Sequence, residues 1–342
     1  MGNRIRVGLI GAGRIGRRHA QTLANLIPQA ELALIADASS DAARETAESV
    51  RVENWTTDPY SVIGDESIKA VVIASSTDTH SPFIIAAARA GKDVFCEKPI
   101  ALDLEATDAA LEAVEQSGVR LQIGFQRRFD KGFRRAKQLI DEGAIGKVEA
   151  IRDTMRDPSP VSRDYIATSG GLYRDMVIHN FDNVRWLVGA DVSEIFAMGA
   201  VLVDPMFQEF GDIDTSVVSL RFENGALGTI DNSRRSGFGY DVRTEIFGSQ
   251  GAVFVGYSRD TPLLHLTQDG VKSDHVHWFL ERFDDAYVEE LQDFVKVIVE
   301  NRQPSVTGVD ARAAMAMAYA AEASRREQRL IQLESFARNT GD

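Results

Sequence analysis

A glycine-rich turn between an apolar run and a helical pattern constrains the fold most strongly. The run Ile5–Ile10 is followed at once by Gly11-Ala12-Gly13-Arg14-Ile15-Gly16, and residues 15–26 have helical periodicity. In such a strand, turn and helix, the first glycine makes the tight turn, the second admits a pyrophosphate and the third lets helix and strand pack closely. The sequence therefore predicts a dinucleotide-binding site at the start of the first helix.

Strand and helix patterns alternate over about the first 125 residues. Apolar runs typical of buried strands recur at 31–36, 70–74, 92–96 and 120–124, and helical patterns occupy 40–49, 81–90 and 104–116. This alternation predicts an α/β fold whose first part is a parallel, doubly wound sheet.

The pattern changes in the remainder of the chain. Strand patterns at 217–222, 226–230, 244–247 and 252–255 are separated by turn sequences at 223–225 and 249–251, and helical patterns at 283–300 and 310–326 follow. A chain of 342 residues exceeds what one hydrophobic core usually supports. We therefore predict two domains, 1–126 and 127–342, the second with an antiparallel sheet.

Charge and composition narrow the classes of partner. The 51 acidic residues outnumber the 38 basic ones, giving a net charge of -13, which argues against nucleic acid and anionic membranes as partners. No apolar run has membrane-spanning length, and the start of the chain shows no signal-peptide pattern. With Cys96 as the single cysteine, no internal disulfide can form. These features predict a cytoplasmic protein.

An acidic residue at the end of the second strand pattern indicates the cofactor. Asp37 lies 21 residues after Gly16, where a carboxylate accepts hydrogen bonds from the adenosine ribose hydroxyls. Its charge would repel a 2'-phosphate, and no arginine follows it directly. The sequence therefore favours NAD over NADP. A solvated loop carboxylate and the N-cap of the next helix are the alternative roles for Asp37.

Hydroxyl side chains follow the strand pattern that ends at residue 74. Ser76 and Thr77 would stand at the carboxyl end of the sheet, where hydroxyl groups suit contacts to ribose or pyrophosphate, and His80 could face the cofactor. Helix capping is an equally ordinary use for the hydroxyl groups, and a turn histidine often has a surface role.

Three ionisable residues in the segment 170–182 have helical spacing. Asp175 and His179 are four residues apart and Asp182 is three further on, so the three share one helix face. A carboxylate there can hold and polarise the imidazole as a general base, which a hydride-accepting cofactor requires. The alternatives are a metal site formed by these three residues and an ordinary surface pair.

Two further groups of residues carry alternative interpretations. His275 and His277 have metal-like spacing on a strand pattern, although a solvated strand edge is the more common case, and we predict no metal. Lys98 follows Glu97 at the end of a buried strand pattern and precedes a proline. Its ammonium could donate to a substrate oxygen in the crevice; a salt-bridged lysine at a strand end is the alternative.

Several of these motifs together resemble the glucose-fructose oxidoreductase and inositol dehydrogenase family (Gfo/Idh/MocA). The resemblance rests on the glycine turn, Glu97-Lys98-Pro99, and the stretches 124–130, 175–182, 230–235 and 239–241, and it extends nearly from end to end. The last two stretches look closest to inositol 2-dehydrogenases. One departure is Gln126, which stands where the family pattern has asparagine.

The resemblance implies a fold and a mechanism. It implies an N-terminal Rossmann domain and a C-terminal α/β domain whose open, largely antiparallel sheet mediates assembly, often to a homotetramer. Lys98, Asp175 and His179 match the family's catalytic triad. His179 would take the hydroxyl proton, Asp175 would orient the imidazole, and Lys98 would bind the same hydroxyl.

The resemblance also implies the remaining site residues. The residues expected to line a cyclic polyol or sugar, besides the triad, are Arg128, Met176, Asp182, Tyr240 and Tyr287. Those expected to contact NAD are Gly11, Gly13, Arg14, Ile15, Gly16, Asp37, Ser76, Thr77, His80, Glu97, Lys98 and Gln126.

The predicted activity is NAD-dependent oxidation of a secondary hydroxyl of a cyclic polyol in inositol catabolism. The favoured reaction converts myo-inositol to the 2-keto product. scyllo-Inositol, another inositol isomer or an aldose in its ring form could occupy the same site. A non-catalytic dinucleotide sensor is the alternative from another class, because one fold can serve unrelated functions.

Overall fold

The computed structural model describes residues 4–256 and 259–333, which form two compact units. The parallel-sheet unit comprises the described residues up to Phe129 together with Asp285–Ala313. The mixed-sheet unit comprises Asp130–Asp284 and the described residues from Ala314 onward. None of the helices in the described ranges combines the length and the apolar character needed to cross a bilayer.

Strands and helices alternate through the first part of the parallel-sheet unit. The order is β1 (Ile5–Ile10), α1 (Arg14–Asn25), β2 (Ala30–Ala36), α2 (Ser40–Val50), β3 (Trp55–Thr56), α3 (Pro59–Gly64), β4 (Ala70–Ile73), α4 (Thr77–Arg89), β5 (Asp93–Glu97), α5 (Leu104–Ser117) and β6 (Leu121–Gly124). A 3-10 turn, Gln126–Phe129, follows.

The six strands form one parallel sheet in the order β3-β2-β1-β4-β5-β6. The strand order reverses between β1 and β4, and in sheets of this kind a ligand binds outside the carboxyl ends of the strands at that point. The predicted parallel, doubly wound sheet is confirmed, and the glycine turn after β1 lies at this crevice.

The mixed-sheet unit begins with helix α6 (Lys131–Asp141). It continues through β7 (Val148–Arg156), α7 (Arg163–Ser169), a π-helical turn (Tyr173–Val177), α8 (Ile178–Val188), β8 (Val192–Ala200), α9 (Met206–Glu209), β9 (Thr215–Phe222), β10 (Leu227–Ser233), β11 (Asp241–Gly248), β12 (Gly251–Val255), β13 (Leu264–Thr267), β14 (Gly270–Ser273) and α10 (Phe279–Arg282). The remaining elements are α11 (Asp284–Val299), α12 (Gly308–Glu327) and β15 (Ile331–Gln332).

Helix α11 packs in the core of the parallel-sheet unit. Its side chains Leu291, Phe294 and Val295 are buried in the core of the parallel-sheet unit, in one cluster with Val7 and Phe95. Burial of large apolar groups is the dominant favourable term in packing, so this helix belongs to that unit although it lies far along the chain. Residues 285–313 thus complete the parallel-sheet unit, although they lie beyond the predicted boundary at 126/127.

Seven strands of the second unit form a sheet in the order β12-β11-β7-β10-β9-β8-β15. Every neighbouring pair is antiparallel except β7 and β10, which are parallel. The predicted largely antiparallel sheet is confirmed. Helix α8 packs against the sheet at β7. Alternate side chains point away from the helix on the other face of the sheet, and four apolar ones are exposed: Val217, Leu227, Phe247 and Phe254.

A buried carboxylate fixes α8 on the sheet. Asp153 on β7 accepts hydrogen bonds from Asn180 Nδ2 at 2.9 Å and Asn183 Nδ2 at 3.2 Å, both on α8, and from Thr244 Oγ1 at 2.5 Å on β11. All four residues are completely buried. Moving one member of a buried hydrogen-bond network would leave its partners unpaired, so such a network favours one packing. The network therefore sets the register of α8, and with it the positions of His179 and Asp182.

We expect Asp153→Ala to lower the free energy of unfolding by about 3 kcal/mol, because buried donors on two elements lose their acceptor. Urea unfolding followed by circular dichroism measures this loss. Asp141→Ala, which removes an exposed partner of Lys137, is the control and should change the value by less than about 0.5 kcal/mol. Equal effects of the two substitutions would contradict the anchoring role.

Candidate active site

The surroundings of the three glycines after β1 explain why each position carries no side chain. Gly11 has φ +101°, and a Cβ there would lie 2.4 Å from the Ala74 carbonyl. A Cβ on Gly16 would lie 2.0 Å from the Gly11 carbonyl oxygen, so this glycine permits close packing of helix and strand. Gly13 has no atom within 4 Å of its Cβ position. The open side of Gly13 is where a pyrophosphate would approach the backbone.

The first turn of α1 is suited to bind an anion. Gly13 is its N-cap and provides no side-chain hydrogen bond. The first N–H groups of a helix lack intrahelical partners and carry the positive end of the helix dipole, so they suit a phosphate. Arg14 is exposed and Ile15 half-buried at the start of this helix. The turn is therefore suited to bind the pyrophosphate of a dinucleotide.

Asp37 is fixed beside this turn by two backbone donors. Its Oδ2 accepts from the Ala12 N–H at 2.6 Å, and its Oδ1 accepts from the Ser39 N–H at 2.8 Å. A carboxylate has about four lone-pair directions, so it can still accept hydrogen bonds from ribose hydroxyls. Ser39, rather than Asp37, caps α2. The alternative role of Asp37 as that cap is therefore wrong.

The residues after β4 divide into exposed and buried ones. Ser76 is the exposed N-cap of α4 and forms no side-chain capping bond, and Thr77 begins the helix. His80 is buried, with Nδ1 2.8 Å from the Pro99 carbonyl and Nε2 3.0 Å from the Ser75 carbonyl. Burial lowers the pKa of His80, against the opposing effect of the two carbonyls. This geometry favours a bracing role over the predicted direct contact with the cofactor.

Lys98 follows β5 and joins Pro99 through a cis peptide bond. Lys98 is half-buried, and the preceding Glu97 forms a hydrogen bond with His19. Gln126 is buried in the 3-10 turn, and Tyr287 is buried on α11 with its ring 6.2 Å from the His19 ring. The substrate roles of Lys98 and Tyr287 stay predictions.

Arg128 forms a buried ion pair within the parallel-sheet unit. Its Nη2 lies 3.1 Å from Oδ1 of Asp310. Burial alone would raise the pKa of Asp310, but the charge of Arg128 and hydrogen bonds from Thr307 lower it below its ordinary value. One side of the Arg128 guanidinium is therefore held by protein, which orients the group predicted to bind substrate.

The segment predicted as a single helix around the acid and base has two conformations. Tyr173–Val177 is a π-helical turn, and the α-helical bonds begin at Ile178. Single π-helical turns often occur at functional sites. Asp175, Met176, His179 and Asp182 are all buried, so the surface-pair alternative is wrong.

A buried arginine holds Asp175. The Nη2 of Arg234 donates to Asp175 Oδ2 at 2.7 Å, and its Nη1 donates to Asp157 Oδ2 at 3.0 Å. The hydroxyl of Tyr165 donates to Asp175 Oδ1 at 2.8 Å. Both oxygens of Asp175 are thus fixed by charged or polar donors, which gives the carboxylate one orientation.

The electrostatics of this group follow from its burial. Arg234 is 3% exposed, and burial alone would lower its pKa, yet Asp175 and Asp157 raise it above the ordinary value. Tyr165 is partly exposed, but burial of its hydroxyl and the charge of Asp175 raise the pKa of Tyr165. Arg234 therefore stays cationic and Tyr165 stays a hydrogen-bond donor through the neutral range.

Sequence reasoning missed Arg234, Asp157 and Tyr165 as site residues. Arg234 belongs to the stretch 230–235 on which the family resemblance rests, so the signal was present but without a role. Tyr240 was predicted, and it lies buried at the start of β11 with its N–H donating to the Val276 carbonyl at 3.0 Å. Its ring packs edge-on against Phe283.

Two metal sites were possible from the sequence: Asp175 with His179 and Asp182, and His275 with His277. Neither set is a close group of three or more ligand side chains among the described residues. Within residues 4–256 and 259–333, the one group of ligand side chains close enough to hold an ion is His19, Glu97 and Glu290. His275 and His277 are exposed in the connection between β14 and α10, so placing them on a strand was wrong.

Comparison with known proteins identifies relatives of both units. The model of the GFO/IDH/MocA oxidoreductase family, NAD-binding Rossmann fold, matches residues 5–125, and the GFO/IDH/MocA C-terminal domain matches 133–254. The myo-inositol 2-dehydrogenase of Thermotoga maritima is 45% identical, over 96% of this chain and 99% of the relative. The scyllo-inositol 2-dehydrogenase (NAD(+)) of Bacillus subtilis is 36% identical over 100% of both chains.

A solved structure extends the similarity to the whole fold. The crystal structure of a probable dehydrogenase from Thermotoga maritima has a TM-score of 0.95 and 44% sequence identity, covering 97% of this chain and 99% of that one. The chain therefore belongs to the Gfo/Idh/MocA family of oxidoreductases, and its parallel-sheet unit carries an NAD-binding Rossmann fold.

Proposed function

We propose that the protein is an NAD-dependent inositol 2-dehydrogenase that oxidises the 2-hydroxyl of myo-inositol to a ketone. The observation that carries the proposal is the buried imidazole of His179, four residues after a carboxylate that Arg234 and Tyr165 hold in place. The name of the Thermotoga maritima relative supports myo-inositol as the substrate. A sensor would not need a buried acid and base arranged in this way.

The mechanism assigns one task to each residue of the triad. NAD supplies the nicotinamide that accepts a hydride from the substrate carbon. We propose that His179 takes the proton of the reacting hydroxyl, so that the C–H electron pair leaves as hydride while the C=O bond forms. Asp175 orients the imidazole and stabilises its protonated form. Lys98 donates a hydrogen bond to the same oxygen and stabilises its developing negative charge.

The remaining predicted residues have supporting roles. We propose that five residues contribute to the site that binds the polyol: Arg128, Met176, Asp182, Tyr240 and Tyr287. The charged and phenolic side chains among them can form hydrogen bonds with the many hydroxyl groups of the substrate. The proposed NAD contacts besides the three glycines and Asp37 are Arg14, Ile15, Ser76, Thr77, Glu97, Lys98 and Gln126. For His80 we propose that the contribution is indirect, through the two loops it braces.

Substrate choice is the first point to test, because the names of two relatives specify different inositol isomers. The experiment compares kcat/KM for myo-inositol, scyllo-inositol, further isomers and aldoses, each with NAD and NADP. The proposal predicts the highest value for myo-inositol with NAD. A higher value for scyllo-inositol would reassign the substrate within the class. Tight NAD binding without any NADH formation would favour the sensor.

The base is tested by His179→Ala. We expect kcat to fall by about 10²- to 10⁴-fold, because the hydroxyl proton loses its acceptor, while the Kd for NAD stays nearly unchanged. Steady-state kinetics and NAD titration calorimetry measure the two effects. Turnover that survives the substitution would require another base.

The coenzyme preference is tested by Asp37→Ala. Losing a charged acceptor should lower kcat/KM for NAD by about 10- to 100-fold and raise the NADP to NAD ratio, because repulsion of the 2'-phosphate is removed. Asp41→Ala, at an exposed position in the first turn of α2, is the control. An unchanged NADP to NAD ratio would contradict the role of Asp37.

We also propose that the protein is a cytoplasmic homotetramer. The outward face of the seven-stranded sheet, which carries Val217, Leu227, Phe247 and Phe254, is the surface we assign to self-assembly, because large apolar patches on soluble proteins mark interaction sites. The buried free thiol of Cys96 suits a reducing compartment.

The double substitution Phe247→Glu with Phe254→Glu places two charges on this face. We expect a smaller assembly by size-exclusion chromatography with light scattering, because buried unpaired charges are costly. Leu26→Glu, at an exposed apolar position at the end of α1, is the matched control and should leave the mass unchanged. An unchanged mass in the double variant would exclude this face as the interface.

A further inference from the structure

A second set of acid and base groups lies inside the parallel-sheet unit. His19 on α1, Glu97 at the end of β5 and Glu290 on α11 offer ligand atoms that all lie within 4.8 Å of one another. His19 and Glu290 are completely inaccessible, and Glu97 is largely buried. The mechanism proposed above does not use His19 or Glu290, so their presence requires a separate explanation.

The contact between His19 and Glu97 is a hydrogen bond. His19 Nε2 lies 2.7 Å from Glu97 Oε1, and the bond requires a proton between the two atoms. The Glu97 carboxylate stands directly over Gly124, where a Cβ would come within 3.0 Å of it. The rings of Phe95 and Tyr287 pack edge-on against the imidazole. Glu97 is therefore confined on several sides.

Among the described residues, no group donates a hydrogen bond to the Glu290 carboxyl group, so a negative charge there would not be stabilised. Neither carboxyl oxygen has a hydrogen-bond partner among the described residues, and its helix neighbours Leu291 and Phe294 are part of the apolar core. The facing ionisable groups are His19 from α1 and Glu97 from β5, while Tyr287 lies one turn earlier on the same helix. β6 contributes Gln122, whose amide donates to the Glu290 backbone carbonyl. An isolated buried carboxylate would be very costly.

A bound metal ion does not fit this geometry. Two ligands of one ion at bond lengths of about 2.0–2.2 Å stand roughly 3 Å or more apart, whereas His19 and Glu97 are 2.7 Å apart and share a hydrogen bond. Burial, followed by the nearby charge of Glu97, raises the pKa of Glu290 well above its ordinary value. A proton explains the group without an ion.

We propose that His19, Glu97 and Glu290 form a buried proton site, in which Glu290 is a neutral carboxylic acid beside the Glu97 carboxylate. The site lies where the helix after the glycine turn, the strand that ends before Lys98, and α11 meet. The protonation of Glu290 does not depend on the proposed activity.

The protonation is tested by comparing Glu290→Gln with the unsubstituted protein from pH 5 to pH 9 by urea unfolding at one protein concentration. The unfolded chain ionises Glu290 near pH 4.5 while the folded chain keeps the proton, so stability falls as pH rises toward the folded pKa. Glu290→Gln does not titrate. Its folding constant relative to the unsubstituted protein should therefore increase about tenfold per pH unit above pH 5, until the folded protein itself ionises Glu290.

Glu115→Gln, an exposed position on α5, is the control and should show no such slope. A flat comparison for Glu290→Gln, or a loss of stability at every pH, would overturn the neutral acid. One equivalent of metal in the purified protein by inductively coupled plasma mass spectrometry, with loss of stability on chelation, would overturn it as well.

Discussion

The ion pair between Arg234 and Asp175 is the interaction on which the rest of the active site depends. Arg234 follows β10, Asp157 follows β7, and Asp175 lies in the π-helical turn, so one guanidinium joins three segments. All three charges are buried, and removing one partner of such a set leaves an uncompensated charge at a cost of several kcal/mol. The orientation of Asp175 is therefore determined by the fold of the whole mixed-sheet unit.

Much of the fold could be predicted because it follows from local periodicity. The apolar runs and the glycine turn were enough to predict the parallel sheet. The turn sequences after β9 and β11 were enough to predict the antiparallel hairpins. The partner of α11 could not be predicted, because an apolar helix face does not specify which core it enters. Leu291 and Phe294 pack against strands more than 190 residues earlier in the chain.

The site was predictable where its chemistry is local in sequence. Asp175 and His179 were found from their spacing, and Asp37 from its distance to the glycine turn. Arg234 and Tyr165 were missed because their relation to Asp175 depends on tertiary packing, and Arg234 is 59 residues away. His80 was given a direct role because the sequence does not show that two backbone carbonyls face its ring nitrogens.

In the proposed reaction, the carbon bearing the 2-hydroxyl of myo-inositol transfers hydride directly to NAD after His179 removes the hydroxyl proton. This transfer can be followed by incubating the enzyme and NAD with myo-inositol deuterated at carbon 2 and analysing the reduced coenzyme by mass spectrometry. Each NADH molecule formed should carry one deuterium. Unlabelled NADH from this substrate would contradict it, because hydride would then come from another carbon.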